Sequence, residues 1–259
     1  MSVNSLKIGL LGIPDSTSTQ ALITELKHQG IEPNFYIFWK PSFSQNLKRV
    51  RLMLGKYGMR ALIDAVVYAI LSRISWKNSK SIYYVPHHNS EQTRNILISQ
   101  KPDILILSTN TIIKKEIFSI PRLVTLNAHP AWLPTFRGMG SSHYQLKAGY
   151  HLAVSIHAVD DGIDSGPIYA RESIELDLSS GIEELRCLLF GIKPDIHRLM
   201  AKLLRKVIED FQSSRAKPID CSMEPNSLFR GGMGKEELKE LDQLLRAKKI
   251  PLAYVKNTL

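Results

Sequence analysis

Three side chains able to act on one carbonyl group occur in two short motifs. Asn127 and His129 lie in LNAHPAWLPTFRG, and Asp164 lies in VSIHAVDDGIDSGP. Alternate residues of a strand point to the same side, so the amide and the imidazole could reach one oxygen. Glycines 162 and 166 permit a tight turn that returns the carboxylate to the imidazole. The trio predicts acyl transfer: the amide and a protonated imidazole stabilise an oxyanion, and the carboxylate orients the ring and favours its charge.

Covalent catalysis and metal binding are the alternatives for the same segment. No serine or cysteine stands beside the trio in a GxSxG elbow, which favours direct attack by an external nucleophile. Histidines 87, 88, 129, 143 and 157 raise the metal alternative, but HExxH spacing is missing and asparagine is a poor zinc ligand. We therefore expect no metal. A single histidine is more often structural than catalytic, and only its combination with Asn127 and Asp164 singles out His129.

The elements that must position these residues alternate between apolar runs and helical patterns. Strands are predicted at 7–12, 33–39, 82–85, 103–108, 123–128, 153–158 and 167–173, and helices at 16–29 and 90–100. This alternation predicts an α/β domain with a mainly parallel sheet and helices on both faces. The trio falls where strands end, which is where open α/β sheets bind their ligands.

The pattern changes near residue 176. A helical stretch broken by Pro194 covers residues 181–211, a second helix is predicted at 235–247, and a turn-rich strap joins them. We predict a catalytic domain over 1–176, with a helical insertion at 41–80, and a mostly helical C-terminal extension over 177–259.

Composition is that of a globular protein with a full hydrophobic core. The 259 residues are 44% hydrophobic and 22% charged. Cys187 and Cys221 lack CxxC spacing and are predicted to be reduced thiols of a cytoplasmic protein. The N-terminal residues suggest a strand, and no signal peptide is predicted.

The net charge of +10 calls for a partner of negative charge without choosing its class. Five basic residues between Lys48 and Arg60 precede an apolar stretch at 61–74, which suggests a membrane surface as one partner. That stretch is shorter than the roughly 20 residues of a membrane span, and Asp64 interrupts it. A buried helix with a solvated basic flank is therefore favoured over membrane contact.

The two motifs resemble those of the formyltransferase family, which includes glycinamide ribonucleotide, methionyl-tRNA and sugar N-formyltransferases. The shared patterns are N-x-H-P-x-x-L-P and D-x-G-I-D-x-G, and KPDILIL and IPRLVTLNAHP extend the likeness over residues 100–175. The resemblance implies a Rossmann-like domain, 10-formyltetrahydrofolate as formyl donor and an amine as acceptor.

Residue roles follow from the same resemblance. Asn127 and His129 would stabilise the oxyanion, while Asp164 would keep His129 cationic and help to move a proton from the amine towards the leaving folate nitrogen. His157 matches a recurring family histidine, with a packing or a direct role, and Arg137 and Gly138 match a loop near the acceptor. Seven residues match the folate-lining loops: Asn110, Ile112, Ile113, Val159, Asp160, Asp161 and Gly162.

Departures from the family patterns bear on the acceptor. GIPDSTSTQALI lacks the glycine turn that closes on a phosphate, and residues 181–259 do not resemble a strand-rich barrel that would accompany tRNA binding. The favoured acceptor is a small, anionic amine such as an amino sugar nucleotide, without nucleic acid, and the 41–80 insertion would shape its site or a homodimer contact. The alternatives are a formyltetrahydrofolate hydrolase, a glycinamide ribonucleotide or methionyl-tRNA formyltransferase, and a non-catalytic folate-fold or membrane-associated protein.

Overall fold

Seven strands form one sheet. The computed structural model describes residues 6–14, 16–40, 81–174, 194–222, 224 and 231–247, with single positions between 42 and 59. The strands are β1 (Ile8–Gly12), β2 (Phe35–Trp39), β3 (Ile82–Val85), β4 (Ile104–Ser108), β5 (Val124–His129), β6 (Ala153–Ala158) and β7 (Ile168–Ser173). All seven were predicted, with bounds that differ by at most two residues.

The strand order is β3-β2-β1-β4-β5-β6-β7. The first five of these pair in parallel, and β6 and β7 are antiparallel additions at one edge. The mainly parallel sheet and the α/β class are confirmed, and the order from β3 to β5 is the Rossmann arrangement.

Helices flank the sheet: α1 (Thr17–His28), α2 (Glu91–Gln100), α3 (Lys115–Phe118), α4 (Ser141–Lys147), α5 (Pro194–Gln212) and α6 (Lys235–Arg246). Ser90 caps α2, since its hydroxyl accepts a hydrogen bond from the Thr93 amide at 3.2 Å. Ser16 occupies the N-cap position of α1 without such a bond.

Two hydrophobic cores lie on the two faces of the sheet. The first core joins buried side chains of β1, β4 and β5 to α1 and α5, among them Leu10, Leu26 and Leu204. The second core joins the opposite faces of the strands to α2 and α3, through residues such as Leu97 and Ile117. Both faces of the parallel strands are therefore covered, as a doubly wound sheet requires.

Helix α5 belongs to the core of the sheet. Pro194 is the first residue of α5 in the described part of the chain, and the predicted helical stretch before it lies outside the described residues. Ala201 and Leu204 are fully buried against the strands. The predicted C-terminal extension thus packs on the catalytic domain along α5, and the domain division at residue 176 stays a prediction.

Several predictions fall outside the described residues. They concern the apolar stretch at 61–74, most of the 41–80 insertion, residues 177–193 and Cys187. Cys221 is a half-buried free thiol. In the described part of the chain, no helix has the length and hydrophobicity needed to cross a bilayer.

Candidate active site

The candidate site occupies one face of β5 and β6. Asn127 pairs with His157 across the antiparallel ladder, and His129 pairs with Ser155. These four side chains therefore share a face, because paired residues and alternate residues point the same way. On the neighbouring β4, Leu107 pairs with Asn127 and belongs to the second core. The face thus changes from apolar to polar at β5.

Asp164 comes to this face from the loop between β6 and β7. Its carboxylate Oδ2 lies 3.4 Å from His129 Nδ1, and Oδ1 lies 3.5 Å from His157 Nε2. The amide of Asn127 donates to Oδ1 at 3.4 Å, and the backbone N–H of Gly138 donates to Oδ2 at 2.9 Å. The structure therefore brings the predicted trio together and adds His157 in direct contact with Asp164.

The backbone of this loop is tightly folded around Asp164, which has a left-handed φ of 48°. A Cβ at Gly166 would overlap the carbonyl oxygen of Ala158, and one at Gly162 would overlap the hydroxyl of Ser165. Gly166 is therefore required by close approach to backbone rather than by a positive φ, whereas at Gly162 only a side-chain hydroxyl would have to move. The strained residue of the turn is the candidate catalytic aspartate itself.

Burial and hydrogen bonds act in opposite directions on Asp164. Burial raises the pKa of its carboxyl, but the adjacent imidazoles of His157 and His129 and the Gly138 amide together lower the pKa well below its usual value. Asp164 is therefore a carboxylate at neutral pH.

His129 is almost fully enclosed, with its side chain 5% exposed. Its Nε2–H donates to the carbonyl oxygen of Phe136 at 2.8 Å, since that oxygen can only accept. Burial lowers the pKa of His129, and the nearby Asp164 opposes this without reversing it. The Nδ1 of the ring faces the Asp164 carboxylate, which would stabilise a second proton, so the positive charge expected on His129 stays a prediction.

The orientation of Asn127 follows from its neighbours. His157 Nδ1 donates to the carbonyl oxygen of Ala158 at 2.8 Å, which leaves Nε2 as an acceptor. The Asn127 Nδ2 lies 3.2 Å from that Nε2 and donates to it. In the described residues, no group of three or more His, Cys, Asp or Glu side chains is placed to hold a metal ion.

Hydrogen bonds to the backbone of residues 131–133 stabilise the segment that ends at Phe136, whose carbonyl oxygen accepts the hydrogen bond from His129. Ser155 Oγ donates to the Ala131 carbonyl at 2.8 Å and accepts from the Leu133 amide at 3.0 Å. Arg171 donates to the Leu133 carbonyl at 2.7 Å. Sequence reasoning missed Ser155, although its position two residues before His157 on a predicted strand already placed it on the same face.

The two predicted folate loops lie side by side, after β4 and after β6. Ile113 is buried in the second core, and Val159 packs against that core. Lys115 forms an ion pair with Asp161 at 3.3 Å across the two loops. Asn110, Ile112, Asp161 and Gly162 are exposed, and Asp160 accepts hydrogen bonds from the Gly162 amide and the Ser165 hydroxyl.

Arg137 lies in the same loop as Gly138, whose amide holds Asp164. Its Nε is buried and has no hydrogen-bond partner within the described ranges. A buried guanidinium N–H without an acceptor is costly, so the residue is suited to an anionic ligand group.

Sequence comparison identifies proteins that are similar to the segment containing this site. Residues 72–187 match the family model described as formyl transferase. The methionyl-tRNA formyltransferase of Finegoldia magna is 32% identical over 149 residues, which are 57% of this chain and 44% of that protein. The chain therefore spans less than half the length of this curated relative.

Solved structures show the same fold at low sequence identity. A sugar N-formyltransferase from Shewanella sp FDAARGOS_354 has a TM-score of 0.56 and 12% identity, covering 94% of this chain and 88% of that one. HypX from Aquifex aeolicus, in complex with tetrahydrofolic acid, has a TM-score of 0.53 and 14% identity, covering 96% of this chain and 35% of that one. The fold and site define a Rossmann-like α/β domain with an Asn-His-Asp centre. Residues 72–187, which include the whole trio, are similar to the formyl transferase family.

Proposed function

We propose that this chain transfers a formyl group from 10-formyltetrahydrofolate to the amine of a small anionic acceptor. The proposal is carried by the convergence of Asn127, His129 and Asp164, with contacts of 3.4 Å from Asp164 to each of the other two. Such a centre places hydrogen-bond donors and a fixed carboxylate where charge develops during acyl transfer. The motif resemblance and the family match support the formyl donor.

The loops beside the trio fit a folate. Ile113 and Val159 provide an apolar wall continuous with the second core, and Ile112, with 70% of its surface exposed, extends that wall outwards. We expect the remaining backbone groups of these loops to contact the edges of a pterin ring, as in most cofactor sites. The donor supplies the formyl carbon and a nitrogen leaving group.

The residues of the trio have distinct roles in this proposal. The acceptor amine forms a bond to the formyl carbon, and Asn127 and His129 donate hydrogen bonds to the oxygen that becomes negative. Both donors are engaged with protein acceptors in this structure, so the oxyanion must share or replace these partners. Asp164 favours protonation of His129 as the amine loses a proton, and that proton passes to the folate nitrogen when its bond to the formyl carbon breaks.

The anionic character of the acceptor rests on Arg137 and on net charge. The Arg137 Nε has no hydrogen-bond partner in the described part of the chain, and the chain carries a charge of +10. The structural likeness to a sugar N-formyltransferase favours an amino sugar nucleotide as the acceptor. Methionyl-tRNA is also tested as an acceptor, because the curated relative is a methionyl-tRNA formyltransferase.

A panel of amines tests the proposal. Purified protein is incubated with 10-formyltetrahydrofolate and, in turn, amino sugar nucleotides, glycinamide ribonucleotide, methionyl-tRNA or free amino acids, and the formylated product is measured. We expect formylation of an anionic small amine, reduced about 100- to 1,000-fold in Asn127→Ala or His129→Ala, the range for loss of one oxyanion donor. His28→Ala, which alters a histidine 66% exposed on α1, is the matched control.

Two outcomes would contradict the proposal. Unchanged turnover in both folded variants would remove the trio from the reaction. Formate release without any amine, at the same rate as with it, would instead support the hydrolase. Arg137→Gln should raise the acceptor KM and leave the donor KM unchanged, and an unchanged acceptor KM would argue against recognition of an anion by Arg137.

A further inference from the structure

His88 and Asn89, which are consecutive in the loop after β3, form hydrogen bonds with the candidate donor loop, residues 109–114. His88 and Asn89 follow β3, which lies three strands away from β4 in the sheet. The loop they contact, residues 109–114, follows β4 and contains three of the predicted folate-lining residues. Neither residue lies in the two sequence motifs that contain the catalytic trio.

Asn89 binds the donor loop through both ends of its amide. Its Nδ2 donates to the carbonyl oxygen of Ile112 at 2.9 Å, and its Oδ1 accepts from the backbone N–H of Lys114 at 2.8 Å. These bonds fix the main chain on both sides of Ile113. The Ile113 side chain is only 5% exposed and lies in the core against which Val159 also packs, so Asn89 bonds to the main chain beside the residue that links the two folate loops.

His88 connects the start of the same loop to the end of β1. Its ring is completely buried, and its Nε2–H donates to the carbonyl oxygen of Gly12 at 2.9 Å. Its Nδ1 then serves as an acceptor and lies 3.3 Å from the hydroxyl of Thr109. Thr109 Oγ1 in turn accepts from the Thr111 amide at 3.1 Å, so the bend that begins the loop is held at its first residue.

We propose that His88 and Asn89 are positioning residues for the formyl donor, which hold loop 109–114 in its binding conformation before the donor arrives. This inference rests on the proposed function, in which that loop lines the folate site. A loop fixed in advance costs less to order on binding, so its loss should weaken donor affinity. The chemical step should be largely preserved, because neither residue contacts Asn127, His129 or Asp164.

Steady-state kinetics with Asn89→Ala test the inference. We expect a donor KM raised about 5- to 10-fold, as for the loss of one or two hydrogen bonds. At saturating donor the kcat should be close to that of the unaltered protein, and the acceptor KM should not change. Asn89→Asp should be intermediate, since its carboxylate still accepts from Lys114 but cannot donate to Ile112. Asn95→Ala, an exposed asparagine on α2 of the same segment, is the matched control.

Direct binding separates this inference from the proposed function. The unaltered protein and Asn89→Ala are each titrated with tetrahydrofolate in a calorimeter, and the variant should bind more weakly. The unfolding temperatures of both proteins are measured to show that the variant is folded. Equal affinity of the two proteins, or a fall in kcat with the donor KM unchanged, would overturn the positioning role alone. Absence of binding by the unaltered protein would overturn the folate assignment and this inference with it.

Discussion

Acidification should destabilise this protein through His88. Burial lowers the pKa of His88 from 6.5 to about 4; the hydrogen bond to Gly12 opposes this shift, and His87 adds to it. Between these two pH values the unfolded chain binds a proton that the folded chain excludes. The stability contributed by the neutral ring is therefore complete above about pH 6.5, falls as the pH is lowered towards about 4 and is constant below it.

The magnitude follows from the difference between the two pKa values. At about 1.4 kcal/mol for each tenfold change in proton affinity, a pKa of 6.5 lowered to about 4 corresponds to about 3 kcal/mol. The ring is fully buried, so solvent does not screen this effect. A loss of this size is a large fraction of the roughly 5–15 kcal/mol that stabilises a typical domain.

Urea unfolding at a series of pH values isolates the contribution of His88. The buried His129 also has a lowered pKa, and so does Asp164, so the unaltered protein loses stability on acidification for more than one reason. His88→Gln keeps an amide donor for Gly12 but does not titrate. Between pH 7.5 and 4.5 the variant should lose about 2 to 3 kcal/mol less than the unaltered protein.

An exposed histidine provides the control for His88. His28→Gln, which alters an exposed histidine, should give the same pH dependence as the unaltered protein. Parallel stability curves for the unaltered protein and His88→Gln would refute the argument. So would a ring NMR titration of His88 in the unaltered protein with a midpoint near 6.5, a measurement that does not depend on the variant folding.

Two further predictions concern stability. Glu224→Gln should lower the free energy of unfolding in urea by about 3–5 kcal/mol, because it leaves the guanidinium of Arg171, only 5% exposed, without its carboxylate. Glu209→Gln, which alters a surface ion pair, is the control and should have little effect. Equal losses in the two variants would contradict this prediction. Leu204→Ala should cost about 2–5 kcal/mol as a cavity in the core, and a loss below about 1 kcal/mol would show that α5 does not share the core of the sheet.

Local patterns account for the elements that were predicted correctly. The runs that became β1, β4 and β5 are apolar, β-prone and bounded by turn residues, so neighbours along the chain are sufficient to define them. The shared side of Asn127 and His129 likewise depends only on the two-residue period of a strand. The break at Pro194 stays a prediction, because the described part of α5 begins at that proline and the stretch before it lies outside the described residues.

The motif between Leu126 and Pro167 determined by itself which chemical groups this protein offers and which family it resembles, because residue type and short-range spacing are properties of the chain. Tertiary structure alone decided how they meet. The antiparallel register set His157 opposite Asn127, the folded-back loop carried Asp164 to His129 and His157, and burial lowered the pKa of His129. Tertiary structure also placed His88 and Asn89, which follow the edge strand β3, in hydrogen-bond contact with the candidate donor loop. Register, burial and long-range hydrogen bonds arise from packing between distant segments, which no local pattern encodes.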